Sequence, residues 1–104
     1  MADLIIRVYV DDKTLWNNVA GSGWYNYPWW YSALYNGAEI GDMNVTIQDP
    51  EDETKTISKI VTFEEIVRAF ERYLQFNDIT VDRIDEAVAD EIMQIAVFGE
   101  TMFG

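Results

Sequence analysis

The chain has 104 residues, of which 49% are hydrophobic, and it carries a formal net charge of −12. This length and apolar content suit one domain around one core, which we expect to span residues 1–104. Cysteine and histidine do not occur, which excludes disulfide scaffolds, thiolate metal sites and the usual imidazole bases. The composition therefore favours a protein that is not an enzyme and that uses no cofactor.

Residues 3–10 alternate between apolar β-branched and other side chains, which predicts a β-strand. The apolar run is short and contains Arg7. Such a run resembles neither a secretory signal nor a membrane-spanning segment. We therefore predict a cytoplasmic protein without a membrane partner.

The next segment predicts two helices. Asp12 is a suitable cap for a helix over residues 13–20 that ends at Gly21, with Trp16 and Val19 facing inward. Six aromatic residues follow within positions 24–31. Because proline suits the first turn of a helix, Pro28 predicts a second helix that extends to Asn36.

A polar turn at residues 49–54 separates two β-prone runs, 43–48 and 55–61, and this pattern predicts a hairpin. Thr62 and Glu65 have the spacing of a capping box, and apolar residues recur at helical spacing from Phe63 to Leu74. A last helix is predicted over Val81–Val97. The order β-α-α-β-β-α-α indicates an α+β fold with a small antiparallel sheet of about three strands, covered by helices.

The negative charge is concentrated after residue 41, where 15 acidic residues face five basic ones. On the predicted last helix, four carboxylates fall within one arc of the surface. The hairpin turn supplies a second acidic group. We interpret both as candidate contacts for a basic protein surface, and general solubility remains the alternative explanation. The two sets are Asp82, Asp85, Glu86 and Asp90, and Asp49, Glu51, Asp52 and Glu53.

Aromatic residues form a second candidate surface, made of Trp24, Tyr27, Trp29 and Trp30. Sites that stack nucleic-acid bases combine aromatic rings with lysine and arginine, and no basic residue lies between Lys13 and Lys55. Direct binding of nucleic acid is therefore not expected. Both core packing and a protein interface are compatible with these four residues.

A calcium loop is suggested by the alternation of Asp49, Glu51 and Glu53. The sixth position of such a loop is normally glycine and the twelfth an acidic residue. Here these positions hold Thr54 and Ile60, so we expect no metal site.

Several short motifs resemble those of small acidic proteins from bacteriophages and prophages. They are Trp29-Trp30, the turn at residues 49–52, the helix start at residues 62–65, and the ending from Asp90 through Gly99-Glu100 to Gly104. The resemblance carries no activity over to particular residues. It implies a context in which small acidic proteins bind and disable a host factor.

These features lead to two hypotheses. The first is a phage-encoded acidic binding protein that inhibits a host nucleic-acid-binding or defence protein, with mimicry of DNA as one route. The second is an assembly or accessory subunit that forms a homo-oligomer through the aromatic segment and the apolar tail, which contains Phe98, Met102 and Phe103. Met93 and Val97, apolar residues at the end of the acidic arc, favour this second hypothesis, because an outward apolar patch would need either the tail or a second chain to cover it.

Overall fold

The computed structural model describes residues 10–104. These residues form a three-stranded antiparallel sheet, in the order β1-β2-β3, with helices packed on one face. The α+β class and the antiparallel sheet are confirmed. Of the predicted strand over residues 3–10, only Val10 lies within the described part of the chain. The elements are α1 (Asp12–Ala20), β1 (Trp30–Leu34), β2 (Met43–Asp49), β3 (Asp52–Val61), α2 (Phe63–Leu74) and α3 (Glu86–Phe98), with 3-10 turns at Trp24–Asn26 and Val81–Arg83.

Helix α1 begins one residue earlier than predicted, because Asp11 and not Asp12 is its cap. The Oδ2 atom of Asp11 accepts a hydrogen bond from the Thr14 backbone N–H at 3.2 Å. Trp16 is buried and its indole N–H donates to the Gly37 carbonyl at 3.1 Å. Its ring packs edge-on against Phe63, so α1 is fixed to the start of α2.

The helix predicted from Pro28 to Asn36 is wrong, since this segment contains strand β1. Pro28 instead follows the first residue of a turn that is closed by a 3.1 Å hydrogen bond from the Trp30 N–H to the Tyr27 carbonyl. Proline is favoured at this second turn position as strongly as in a first helical turn. Aromatic residues also suit strands, and pairing with β2 satisfies the backbone of β1.

Strands β2 and β3 form the predicted hairpin, with both strands extended toward the turn. Along β2 the side chains alternate, so that Met43, Val45 and Ile47 are buried under the helices. Within residues 10–104, no helix packs on the opposite face of the sheet. This face exposes polar side chains and two apolar ones, Leu34 and Ile60.

Helix α2 confirms the predicted capping box. The Thr62 hydroxyl accepts from the Glu65 N–H at 3.2 Å, and the Glu65 carboxylate accepts from the Thr62 N–H at 3.1 Å. Ile66 and Phe70 face the core as predicted. Helix α2 packs along α3, and buried residues of both helices share one core with the strands.

Helix α3 begins at Glu86, five residues later than predicted. Asp85 is its cap and has an extended backbone, while Asp82 lies in the separate 3-10 turn. Helix α3 ends at Gly99, which has a φ of +82° that favours glycine. No helix in residues 10–104 has the length and apolar character needed to cross a membrane.

Candidate functional site

Asp90 was predicted to lie on the acidic surface, and this prediction is wrong. Its side chain is only 4% exposed. One carboxylate oxygen accepts the indole N–H groups of both Trp29 and Trp30, each at 2.7 Å, and the other accepts the Gln94 amide at 3.0 Å. Indole N–H groups need acceptors when they are buried. We call Asp90, Trp29, Trp30 and Gln94 the Asp90 network.

Burial raises the pKa of the Asp90 carboxyl above its ordinary value, and the nearby charge of Glu86 acts in the same direction. The hydrogen bonds from Trp29, Trp30 and Gln94 oppose this rise in pKa because they favour the charged form. The Asp90 carboxylate accepts hydrogen bonds from three internal donors, so it is not available to a partner. Asp90 therefore holds the fold together and does not belong to an interface.

Gln94, which was not among the predicted site residues, anchors the segment after α3. Its side chain is fully buried, and its amide oxygen accepts from the backbone N–H groups of Met102 and Phe103 at 2.8 and 2.7 Å. Its amide nitrogen also donates to the Phe103 carbonyl at 3.1 Å. Residues 100–104, the tail, are thus folded back onto the domain.

The predicted aromatic surface is divided between core and periphery. Trp24 is fully buried and Trp30 is 6% exposed, so of the two alternatives core packing is correct for these residues and the interface is wrong. Their rings meet edge-on at 4.6 Å between centroids, an arrangement typical of a packed core. Tyr27 and Trp29 are partly exposed.

Three aromatic rings form a nearly parallel stack at the edge of the domain. Tyr27 lies 5.0 Å from Trp29 with an interplanar angle of 13°, and Trp29 lies 5.7 Å from Phe103 with an angle of 10°. Trp29 is therefore enclosed on both faces. Tyr27, at the end of the stack, leaves part of its side chain to solvent.

Carboxylates near the start of α3 affect the ionisation of Tyr27. Its partial burial raises the pKa of the phenol, and the negative charges of Glu86, Asp90, Asp85 and Glu91 raise it further. Asp85 and Glu86 are exposed, and Glu91 is half-buried. Asp90 is committed internally, and Glu91 lies beside Tyr73, whose pKa is raised by burial and by the Glu91 charge. Tyr27, Asp85 and Glu86 remain as a surface group that we call the Tyr27 patch.

The predicted stripe of four carboxylates on one helix does not exist, because α3 begins at Glu86 and Asp90 points into the core. Asp82 and Asp85 are exposed, as predicted. Asp85 also has a local role, since its carboxylate accepts from the Val88 N–H at 2.9 Å. Hydrogen bonding to Thr80 lowers the pKa of Asp82.

Two of the four acidic residues in the hairpin turn are occupied by the turn itself. Asp49 accepts from the Glu51 N–H at 2.9 Å, and Asp52 accepts from the Thr54 hydroxyl at 2.6 Å. The Thr54 contact lowers the pKa of Asp52. Only Glu51 and Glu53 are fully exposed there. Within residues 10–104, no three acidic side chains are grouped so as to hold a metal ion.

Comparison with protein-family models, with curated proteins and with solved structures gives no match to this chain. The resemblance to small acidic phage proteins therefore stays a prediction from its motifs. Functional inference for this chain depends on its own geometry. In that geometry, the Tyr27 patch combines an accessible ring with a group of carboxylates.

Proposed function

We propose that this chain is a binding protein that recognises a basic protein surface through the Tyr27 patch. The observation that carries this proposal is that the 3-10 turn just before Tyr27 contacts α3, at whose start Asp85 and Glu86 are exposed and raise the pKa of the partly exposed Tyr27. An arginine or lysine side chain is attracted both to carboxylates and to the face of an aromatic ring. A partner's guanidinium or ammonium group is therefore the ligand chemistry that best matches the patch.

The wider charge distribution supports the same class of partner. The net charge of −12 attracts basic surfaces over a distance of about one Debye length, roughly 8 Å at physiological salt. The same field repels nucleic acids and anionic membranes. Following the motif resemblance, we propose that the partner is a nucleic-acid-binding or defence protein of a host cell, which this chain inhibits.

Mimicry of duplex DNA has weaker support than recognition of individual cationic side chains. A phosphate-like row needs evenly spaced charges along one element. Asp90 is buried and Asp82 lies outside α3, so such a row is interrupted. The proposal therefore rests on a compact patch that binds one or two cationic side chains.

Charge reversal at Glu86 tests this proposal, with a deca-arginine peptide as the probe. We expect Glu86→Lys to weaken binding about tenfold at low salt, because it removes an attractive charge and adds a repulsive one. Glu53→Lys is the matched control, since it makes the same charge change in the hairpin turn. Its expected effect is less than about threefold, because the turn lies outside the patch. Fluorescence titration at two salt concentrations measures both variants.

Equal losses in Glu86→Lys and Glu53→Lys would mean that the peptide responds to net charge alone, and this result would overturn the proposed site. Tyr27→Leu provides a separate check on the ring. Loss of a cation–π contact at an exposed position is worth about 0.5–1 kcal/mol, or roughly a two- to fivefold weakening. Circular dichroism establishes that each variant keeps the helical content of the parent protein.

A further inference from the structure

Gln94 uses its full hydrogen-bonding capacity on a short stretch of backbone. An amide side chain has two N–H donors and an oxygen with two acceptor sites. In Gln94 the two donors bind Asp90 and the Phe103 carbonyl, and the oxygen binds two consecutive N–H groups, those of Met102 and Phe103. A fully buried glutamine thus recognises main-chain atoms of the tail, whose two consecutive N–H groups converge on one oxygen.

This arrangement has the two components of a peptide-binding groove. Main-chain hydrogen bonds give affinity that does not depend on the peptide's side chains, and a side-chain pocket gives specificity. The pocket here is aromatic, because Phe103 stacks on Trp29 at 5.7 Å and lies 6.4 Å from Phe98. The groove therefore selects a peptide with an aromatic residue at the second of two consecutive bonded positions.

Asp90 sets the polarity of this groove. A carboxylate can only accept hydrogen bonds, so its contact at 3.0 Å holds the nitrogen of the Gln94 amide toward the core. The Gln94 oxygen then faces the tail, where it accepts the two backbone N–H groups. Asp90 is thus a positioning residue for peptide recognition.

The tail that fills the groove has few attachments within the described structure. Glu100, Thr101 and Met102 are exposed, and Gly99 links the tail to α3 at a position where an added Cβ atom would meet no other atom within 4 Å. The observed attachments are three backbone hydrogen bonds to Gln94 and the Phe103 ring contacts. Detachment of the tail disrupts these contacts without unfolding a helix or strand.

We infer that the groove formed by Gln94, Trp29 and Phe98 is a peptide-binding site, occupied here by the chain's own tail, and that it accepts the same tail from a second copy of the chain. A second copy presents identical atoms, so the contacts in each groove are preserved on exchange. The cis tail competes at an effective concentration on the order of millimolar. Exchange therefore becomes visible once the cis tail is weakened.

Two complementary full-length variants test this inference. Phe103→Ala keeps the groove intact but removes the aromatic ring of the tail. Gln94→Ala keeps the tail intact but removes the amide of the groove. Each variant alone is expected to sediment as a monomer. Mixed at a concentration of about 1 mM, they are expected to form a one-to-one heterodimer, since one supplies the groove and the other the tail. A mixture that sediments as two monomers contradicts the inference.

A peptide titration tests the same inference without the Gln94→Ala variant. This matters because Gln94→Ala loses several buried hydrogen bonds and is therefore destabilised. The peptide Gly-Glu-Thr-Met-Phe-Gly is expected to bind Phe103→Ala at least about tenfold more tightly than the parent chain, which its own tail occupies. The matched control peptide carries Met102→Pro, which removes one of the recognised N–H groups. Equal affinity of the two peptides for Phe103→Ala, or binding of neither, overturns the inference. No cationic ligand is involved, so the outcome is independent of the Tyr27 patch.

Discussion

Replacement of Asp90 by alanine is expected to lower the free energy of unfolding by about 3–5 kcal/mol, as is typical when one partner of a buried charged network is removed. The indole N–H groups of Trp29 and Trp30, both bonded at 2.7 Å, lose their common acceptor. Gln94 loses the oxygen that orients its amide. Urea unfolding followed by tryptophan fluorescence measures the change, because both indoles are in the network.

Asp90→Asn is the matched control, since it keeps the shape and one acceptor oxygen. Both indoles bond to the same oxygen of Asp90, so the asparagine oxygen can serve both, and we expect a loss of only about 1 kcal/mol. The new NH₂ group, however, opposes the Gln94 nitrogen. Rotation of the Gln94 amide relieves this conflict but turns its donors toward the tail N–H groups. Faster hydrogen exchange at Met102 and Phe103 is the expected result, and unchanged protection contradicts the role given to Asp90.

The pH dependence of stability separates the charge of Asp90 from its hydrogen bonds. Burial raises the pKa of this carboxyl in the folded state, so the folded protein binds the proton more tightly than the unfolded chain does. The parent protein should therefore gain stability relative to Asp90→Asn as the pH falls from 7 toward the ordinary pKa of aspartate, about 3.9. The lowered pKa values of Asp52, Glu65 and Asp82 cause an opposite trend at acid pH. This trend is common to both proteins and cancels in the comparison.

Trp24→Ala is expected to cost about 3–5 kcal/mol of unfolding free energy, which is the usual range for removing a buried tryptophan. Trp24 is fully buried and packs against Trp30 and Tyr25, with ring centroids 4.6 and 5.8 Å away. Urea unfolding measures the loss. If Trp24→Ala were as stable as the parent and instead changed the oligomeric state, Trp24 would be an interface residue and its assignment to the core would be wrong.

Trp24→Phe is a milder comparison at the same site. The indole N–H of Trp24 finds no acceptor among residues 10–104. Replacement by phenylalanine therefore reduces the buried aromatic surface but removes no hydrogen bond seen in the structure. We expect a loss of about 1–2 kcal/mol, clearly below that of the alanine variant. A phenylalanine variant as unstable as Trp24→Ala would indicate that the N–H contributes a bond of its own.

The sequence correctly predicted those elements whose backbone is determined by residues close to one another in the chain. The capping box of α2 and the polar turn of the hairpin specify their backbone through neighbouring residues, and both are present. The segment after Pro28 carries no such unambiguous signal. Proline fits a turn and a helix start equally well, and the pairing of Ala33 with Val45 across β1 and β2 decides the outcome. Pairing between distant residues is not visible in a local pattern.

Only part of the candidate site was predicted, because contacts between distant residues also decide which carboxylates are exposed. Glu86 and Asp85 are exposed because they begin a helix, whereas Asp90, one turn later, is drawn inward by two indoles more than 50 residues away. Helical spacing alone placed Asp90 on the acidic arc. Met93, an apolar residue on that same arc, was the available sign that this side of α3 is covered. It is fully buried.

The recognition of cationic side chains by the Tyr27 patch is tested most directly by mapping where the deca-arginine peptide binds. Amide chemical shifts of the labelled protein, recorded during a titration at low salt, report the contact residue by residue. Binding at the patch predicts the largest shifts at Tyr27, Asp85 and Glu86, with reduction by added salt. Largest shifts in the hairpin turn at residues 49–53, or small shifts spread over the whole surface, would contradict the proposed site.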